Sequence, residues 1–328
     1  MFANHLQPNL STGEVEKVPT RNGYGEGLLE AGKRDEKVVA LCCDLTESTR
    51  THQFAEAFPD RFIQVGIAEQ SMASVGSGMA AMGKIPFIAS YAMFSPGRNW
   101  EQIRTTIAYN NSNVKIIGAH AGVSVGPDGA THQAVEDMAI MRVVPNMIVI
   151  SPADVHEARK ATLAAAKHDG PVYLRFGRSA TEVVTTPESP FEIGKAELMY
   201  TRDESLEKKV GIVVTGSLLY NALMAAEELQ KNGIGASVLH MPTIKPLDGN
   251  ALEAFASEHG ALVTVEEHQI SGGLAGAVAE HLSQTVPTKI SCIGVHDSFG
   301  ESGEPDELIS HFGMDIPSIV EAGKGLVG

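Results

Sequence analysis

Cysteine is scarce in this chain: there are three among 328 residues, and two of them, Cys42 and Cys43, are adjacent. Neighbouring cysteines are poorly placed to bridge each other, so with Cys292 they exclude a disulfide framework, and a reducing compartment is expected. Basic residues are also few, 25 Lys and Arg against 40 Asp and Glu, for a formal net charge of -15. That excludes a general nucleic-acid binder, which needs a basic surface. It leaves room for a local arginine cluster that takes small anions. No apolar run reaches the length of a membrane span. The first twenty residues, with Asn4, His5, Gln7 and Glu14 among them, lack the apolar core of a signal peptide. Together these absences predict a soluble, cytoplasmic protein. The chain does have 43% hydrophobic residues and 33 glycines, enough to bury a sizeable core without staples.

Short β-branched runs alternate with helical stretches almost throughout. Val38–Leu41, Val114–Ile117 and Met147–Ile150 read as buried strands, and Trp100–Asn110 and Asp154–Lys167 as helices. Alternation of this kind predicts an α/β fold with a mostly parallel sheet flanked by helices. The pattern breaks at Thr185-Thr186-Pro187-Glu188-Ser189-Pro190 and the charged stretch Thr201–Lys209. It then restarts with strands at Val210–Val214, Ala236–His240 and Ala261–Val265, and with helices at Tyr220–Asn232, Gly249–His259 and Gly273–Leu282. Two α/β domains are expected, residues 1–190 and 191–328.

Two segments carry chemistry. In Gln64-Val65-Gly66-Ile67-Ala68-Glu69-Gln70 an apolar strand ends and delivers a carboxylate to the start of a small-residue helix, Ser71–Met82. Small neighbours let a ligand approach the backbone; a glutamate there also simply complements the helix dipole. In Gly126-Pro127-Asp128-Gly129-Ala130-Thr131-His132-Gln133, preceded by Gly118-Ala119-His120, two imidazoles and a carboxylate lie in one glycine-rich loop after a strand. Loops at strand carboxyl ends are where open α/β sheets bind ligands, and this composition suits proton handling. The His120–His132 spacing fits no common zinc motif.

Taken together and in this order, Val65-Gly-Ile-Ala-Glu-Gln70, Tyr91-Ala-Met-Phe94, the Gly126–Gln133 segment and Pro171-Val-Tyr-Leu-Arg-Phe-Gly-Arg178 resemble the pyrimidine-binding domain of transketolases. Val265-Glu266-Glu267-His268 followed by Gly272-Gly273 resembles the family's carboxyl-terminal domain. The resemblance runs from about Arg21 to the end. It implies thiamine diphosphate as cofactor and transfer of a two-carbon ketol unit between sugar phosphates, as in the pentose phosphate pathway. Glu69 matches the catalytic glutamate that hydrogen-bonds the aminopyrimidine from a dry, apolar cleft. Tyr91 and Phe94 match aromatic positions that flank this ring; where a third aromatic is expected, Gly97 stands. His120 and His132 match catalytic, substrate-contacting histidines, and Asp128 matches a further sugar contact. Arg21, Ser48 and Arg178 match phosphate contacts, Arg175 being the alternative to Arg178. Arginine suits that task because its planar fork binds phosphate bidentately. Asp44 is expected to order the cofactor-side loop toward Ser48.

One expected signature is missing. Thiamine enzymes of this kind hold the diphosphate through a metal bound by Gly-Asp-Gly and a downstream Asn. The nearest imitation here is Pro127-Asp128-Gly129, with Asn146 too close. The resemblance therefore implies a split enzyme: an N-terminal subunit supplies the diphosphate site with Mg2+ or Ca2+, this chain binds no metal, and the chain self-associates, as a dimer or within a two-plus-two assembly. The alternatives are a 1-deoxy-D-xylulose-5-phosphate synthase-like chain, a 2-oxo acid dehydrogenase β-like chain, and a non-catalytic homologue. The first normally has Asp-Arg where His120-Ala121 stand, and the second lacks the Gly126–Gln133 segment.

Overall fold

A computed structural model describes all 328 residues. The first sheet has seven strands: β1 Val38–Cys42, β2 Phe62–Gln64, β3 Ile85–Tyr91, β4 Lys115–Ala119, β5 Ile148–Ile150, β6 Val172–Arg175 and, arriving late from the second half of the chain, β10 Thr243–Lys245. Their order is β10-β5-β6-β4-β3-β1-β2. All neighbours are parallel except β10, which pairs antiparallel with β5. The second sheet comprises β7 Glu197–Tyr200, β8 Lys209–Val214, β9 Gly235–His240, β11 Ala261–Gln269 and β12 Lys289–Val295, in the order β12-β11-β8-β9-β7. Only β7 runs antiparallel there. Strands β1 and β4 are buried along their whole length. That is why, Lys115 apart, they read as apolar runs and do not alternate.

The helices that matter for the site are α1 Thr20–Arg34, α2 Glu69–Ala81 and α3 Val155–Lys167. Helix α1 contains Gly23, Gly25 and Gly27, poor helix formers whose presence is explained by packing. A Cβ on Gly23 would lie 2.0 Å from the Val155 carbonyl, and one on Gly27 would lie 2.8 Å from Thr162, so both let α1 press onto α3. The two halves of the chain also exchange segments. Leu6 and Leu10 lie in the core of the second sheet, and β10 extends the first.

Buried polar contacts join the halves. Arg175 donates to Asp137 at 2.9 Å and to the Glu267 carbonyl at 2.7 Å. The Glu267 carboxylate accepts from the Ser124 amide at 2.7 Å and from the Ser217 hydroxyl at 2.9 Å. Gln133 donates to the Glu301 carbonyl at 2.9 Å. The histidine-bearing loop is therefore seated on the second half, with Gly122 against the Glu267 carboxylate, where a Cβ would come within 2.1 Å.

Candidate active site

The candidate residues follow the carboxyl ends of parallel strands in the first sheet, except Arg21, which lies in the first turn of α1. Strand β1 leads to Asp44, Ser48 and Arg50; β2 leads to Glu69; β3 ends at Tyr91; β4 leads to His120; β6 leads to Arg178. Strand edges there present free backbone groups and loops free to diverge, so ligands collect at that end.

Glu69 opens α2 and is 1% exposed. Its carboxylate accepts from the Ser90 hydroxyl at 3.2 Å and from the Arg98 guanidinium at 2.6 Å. Its carbonyl accepts from the Asn99 side-chain amide at 3.1 Å. The expected cleft is thus dry but not apolar. Arg98, with its side chain 45% exposed, brings a charge into it from the solvent side. The guanidinium also lies 4.6 Å from the centre of the Phe94 ring, a favourable placement of a cation on a π-face.

From Phe94 the contacts run on. Its ring is 6.1 Å from Tyr91 and 5.5 Å from His132. Tyr91 stacks on His120 at 3.9 Å. Arg21 donates to His120 Nε2 at 3.1 Å and to the Ser48 carbonyl at 2.9 Å. Because arginine only donates, Nε2 must accept, and the ring proton sits on Nδ1. That Nδ1 is buried without a partner, as is Nε of Arg21. Buried polar atoms rarely stay unsatisfied, and two in one cleft mark a place for a ligand. Burial first, and then the charges of Arg21, Arg178 and Arg50, push the His120 pKa down to about 3. The imidazole is therefore neutral at physiological pH. His120 also has φ 53°, a strained conformation for a side chain of this size.

The structure brings Glu69, Tyr91, Phe94, His120, His132, Arg21 and Ser48 into one chain of contacts. Arg178 borders it, donating to the Val125 carbonyl at 3.0 Å. Asp128 stands exposed at the end of the turn before His132. Asp44 is exposed and makes a backbone contact only, its amide donating to Gln64 at 2.7 Å. Arg175 points away from the cleft into the buried pair with Asp137. Sequence reasoning missed Arg98, Ser90 and Asn99 around Glu69, and Arg50 beside Arg21. Arg98 carried a signal: it lies one helical turn past Phe94, close enough in sequence to share its surroundings.

Residues 16–183 match the pyrimidine-binding domain of transketolase, and residues 200–319 match the transketolase C-terminal domain. A putative transketolase C-terminal section of Methanocaldococcus jannaschii is 45% identical over 304 residues, covering 92% of this chain and 94% of that protein. The 6-deoxy-6-sulfo-D-fructose transketolase subunit SqwH of Clostridium sp. (strain MSTE9) is 39% identical over 309 residues, or 94% of each. A solved split gene transketolase, described as an inactive β4 tetramer, has a TM-score of 0.87 at 42% identity, covering 94% of this chain and 98% of that one. Fold and site together define a subunit of a thiamine-dependent enzyme. The chain belongs to the transketolase family and carries its pyrimidine-binding and C-terminal domains.

The residues fit the pyrimidine end of thiamine diphosphate. Arg98 already shows what the cleft accepts: a flat, N–H-donating group bonded to Glu69 and lying on Phe94. An aminopyrimidine is likewise flat and, with its ring nitrogen protonated, presents an N–H, and Arg98 is 45% exposed where it enters the cleft.

Proposed function

We propose that this chain is the pyrimidine-side subunit of a two-subunit transketolase, moving a two-carbon ketol unit between sugar phosphates and active only with a partner that binds the diphosphate and its metal. The observation that carries the reading is a buried carboxylate sharing one cleft with two histidines and an arginine. Thiamine diphosphate, when bound, supplies the nucleophilic carbon that carries the two-carbon unit. Glu69 would hold a ring nitrogen by a shared proton, and Tyr91 and Phe94 would flank the ring. Being neutral, His120 offers its Nδ1–H to a substrate oxygen without adding a cation. His132 stands on the same side, oriented by Thr131 at 2.9 Å, and exchanges protons with sugar hydroxyls. Asp128 contacts the sugar chain. Arg21 and Arg178 take the phosphate, with Ser48 in the loop beside Arg21.

The division between subunits has a physical counterpart. Ile67 and Met82, flanking α2, are 75% and 84% exposed, and Val75 on the helix is exposed too. Apolar side chains displayed around a catalytic helix mark a surface that another chain covers. The solved relative described as an inactive β4 tetramer supports the same reading, since its copies assemble without activity.

The test is reconstitution. This chain is assayed alone, then mixed with a candidate subunit bearing Gly-Asp-Gly and a downstream Asn, using a ketose phosphate donor and an aldose phosphate acceptor. Ketol transfer only in the mixture supports the proposal, and full turnover by the isolated chain with added cofactor and metal rejects it.

A further inference from the structure

Arg50 has no role in the proposed reaction as described so far, yet its placement is costly. It has φ 64°, a conformation that a long side chain adopts only when its surroundings impose it. Its backbone lies against Gly25 of α1, where a Cβ would come within 2.8 Å of the Arg50 carbonyl. Its Nε donates to Asn22 at 2.8 Å, the residue after Arg21. The same loop sends the Ser48 carbonyl to Arg21 at 2.9 Å. Two contacts from one loop to one helical turn therefore hold Arg50 close enough for its charge to act on Arg21.

Neither has a carboxylate partner, and neither does Arg178. Six others, Arg34, Arg98, Arg142, Arg159, Arg175 and Arg202, pair with acidic groups; Arg61, also without a carboxylate, lies over the Phe58 ring and donates to carbonyls, and Arg104 has no carboxylate partner either. Burial, and then the charges of Arg50 and Arg178, push the Arg21 guanidinium below its ordinary value, and the same three arginines act on the buried His120. In a chain with net charge -15, an uncompensated cationic cluster is a built feature. It also adjoins His120, 2% exposed, with its unpartnered Nδ1.

We infer that Arg50 is a specificity-determining residue: with Arg21 and Arg178 it forms a three-arginine pocket that selects a doubly charged phosphate ester over singly charged or neutral sugar ends. This rests on the ketol-transfer reading for its physiological role but not for its chemistry. Three guanidiniums without a counter-ion match the two negative charges and three acceptor oxygens of a phosphate ester. A sulfonate has the oxygens but only one charge.

The experiment has two arms. In the first, the full chain is titrated calorimetrically with D-ribose 5-phosphate and with methanesulfonate, as wild type, Arg50→Asn, Arg50→Lys and Arg34→Gln. Asparagine tolerates positive φ, so Arg50→Asn suits the backbone conformation although it loses the bond to Asn22; Arg50→Lys and a thermal melt check that the loop and fold persist. Arg34→Gln removes the same charge at the far end of α1. The expected result is ribose 5-phosphate binding weakened about tenfold or more in Arg50→Asn, the size of one charge-assisted hydrogen bond. Arg50→Lys should lose less, Arg34→Gln should bind as wild type does, and the preference over methanesulfonate should shrink in Arg50→Asn. Unchanged binding by Arg50→Asn, or a wild type that binds neither ligand or both equally, overturns the proposal.

In the second arm, the reconstituted two-subunit enzyme is assayed with a phosphorylated and a non-phosphorylated aldose acceptor. Arg50→Asn should raise KM mainly for the phosphorylated one, with kcat far less affected. Transfer with an unchanged KM sinks the role of Arg50 and leaves the functional reading standing. If no ketol transfer occurs, yet ribose 5-phosphate binding still depends on Arg50, the functional reading falls and the anion pocket stands.

Discussion

At the scale of residues, the site pairs one charged contact with one neutral one. Glu69 is bonded to Arg98 at 2.6 Å, and Arg98 rests on Phe94. Glu69→Gln keeps the shape and removes the acid–base function. Turnover of the reconstituted enzyme should fall on the order of a hundredfold or more, the usual worth of such a group. The melting temperature should move by only a few degrees, because the paired guanidinium is half in solvent and loses little. A wild-type rate in Glu69→Gln would remove Glu69 from the mechanism. Cofactor binding should displace Arg98, and the protein's single tryptophan, Trp100, sits two residues further on. Adding thiamine diphosphate to the reconstituted enzyme should therefore change Trp100 fluorescence, and Arg98→Met should bind the cofactor no more weakly than wild type. Weaker binding in Arg98→Met would mean that Arg98 holds the cofactor and does not make way for it. His120 gives a pH signature. Its folded pKa is near 3 and its ordinary value 6.5. Between those limits the unfolded chain takes up a proton that the folded chain refuses, so stability falls as pH drops through that window. His120→Asn should flatten this loss in melts recorded from pH 7 to pH 4. Some slope should remain, because burial also pushes His268 down, to about 4.

At the scale of elements, the loop from His120 to Gln133 shows why part of the site was legible and part was not. Strand β4 before it reads plainly from Val114–Ile117, because a central parallel strand is nearly all apolar and only Lys115 interrupts the run. The loop's composition then advertises the two histidines. Its support does not read at all: Glu267, Ser217 and Glu301 lie in the other half of the chain and reach it only through the fold. The same holds for Arg175. Three residues from Arg178 in sequence, it is an equal candidate for phosphate until Asp137 and the Glu267 carbonyl claim it. Strand β12 and the short β10 were also missed. The first is only partly buried and the second is three residues long, so neither leaves a strong pattern. The glycines of α1 are there for contact with α3 and with Arg50. The buried Arg175–Asp137 pair supports both the loop and the junction between halves. Arg175→Met should destabilise the chain by about 3–5 kcal/mol, as losing one partner of a buried pair does, measurable by urea unfolding. A loss below about 1 kcal/mol would show that the pair is not needed to hold the halves together.

At the scale of the whole molecule, the chain presents a cleft lined by Glu69 and His120 and an apolar face beside it. Glu69, His120, Arg21 and Arg50 belong to the sheet's carboxyl end, and Ile67, Val75 and Met82 display the surface around α2. The central claim is that the buried acid of this chain works on a cofactor whose diphosphate another polypeptide holds. The most direct measurement is ketol transfer in mixtures of this chain, as wild type and as Glu69→Gln, with the diphosphate-binding subunit. The account predicts activity that requires both chains, saturates at a fixed ratio of the two, and is lost with Glu69→Gln although the variant still assembles. Equal activity from wild type and Glu69→Gln, or from this chain by itself, would contradict it.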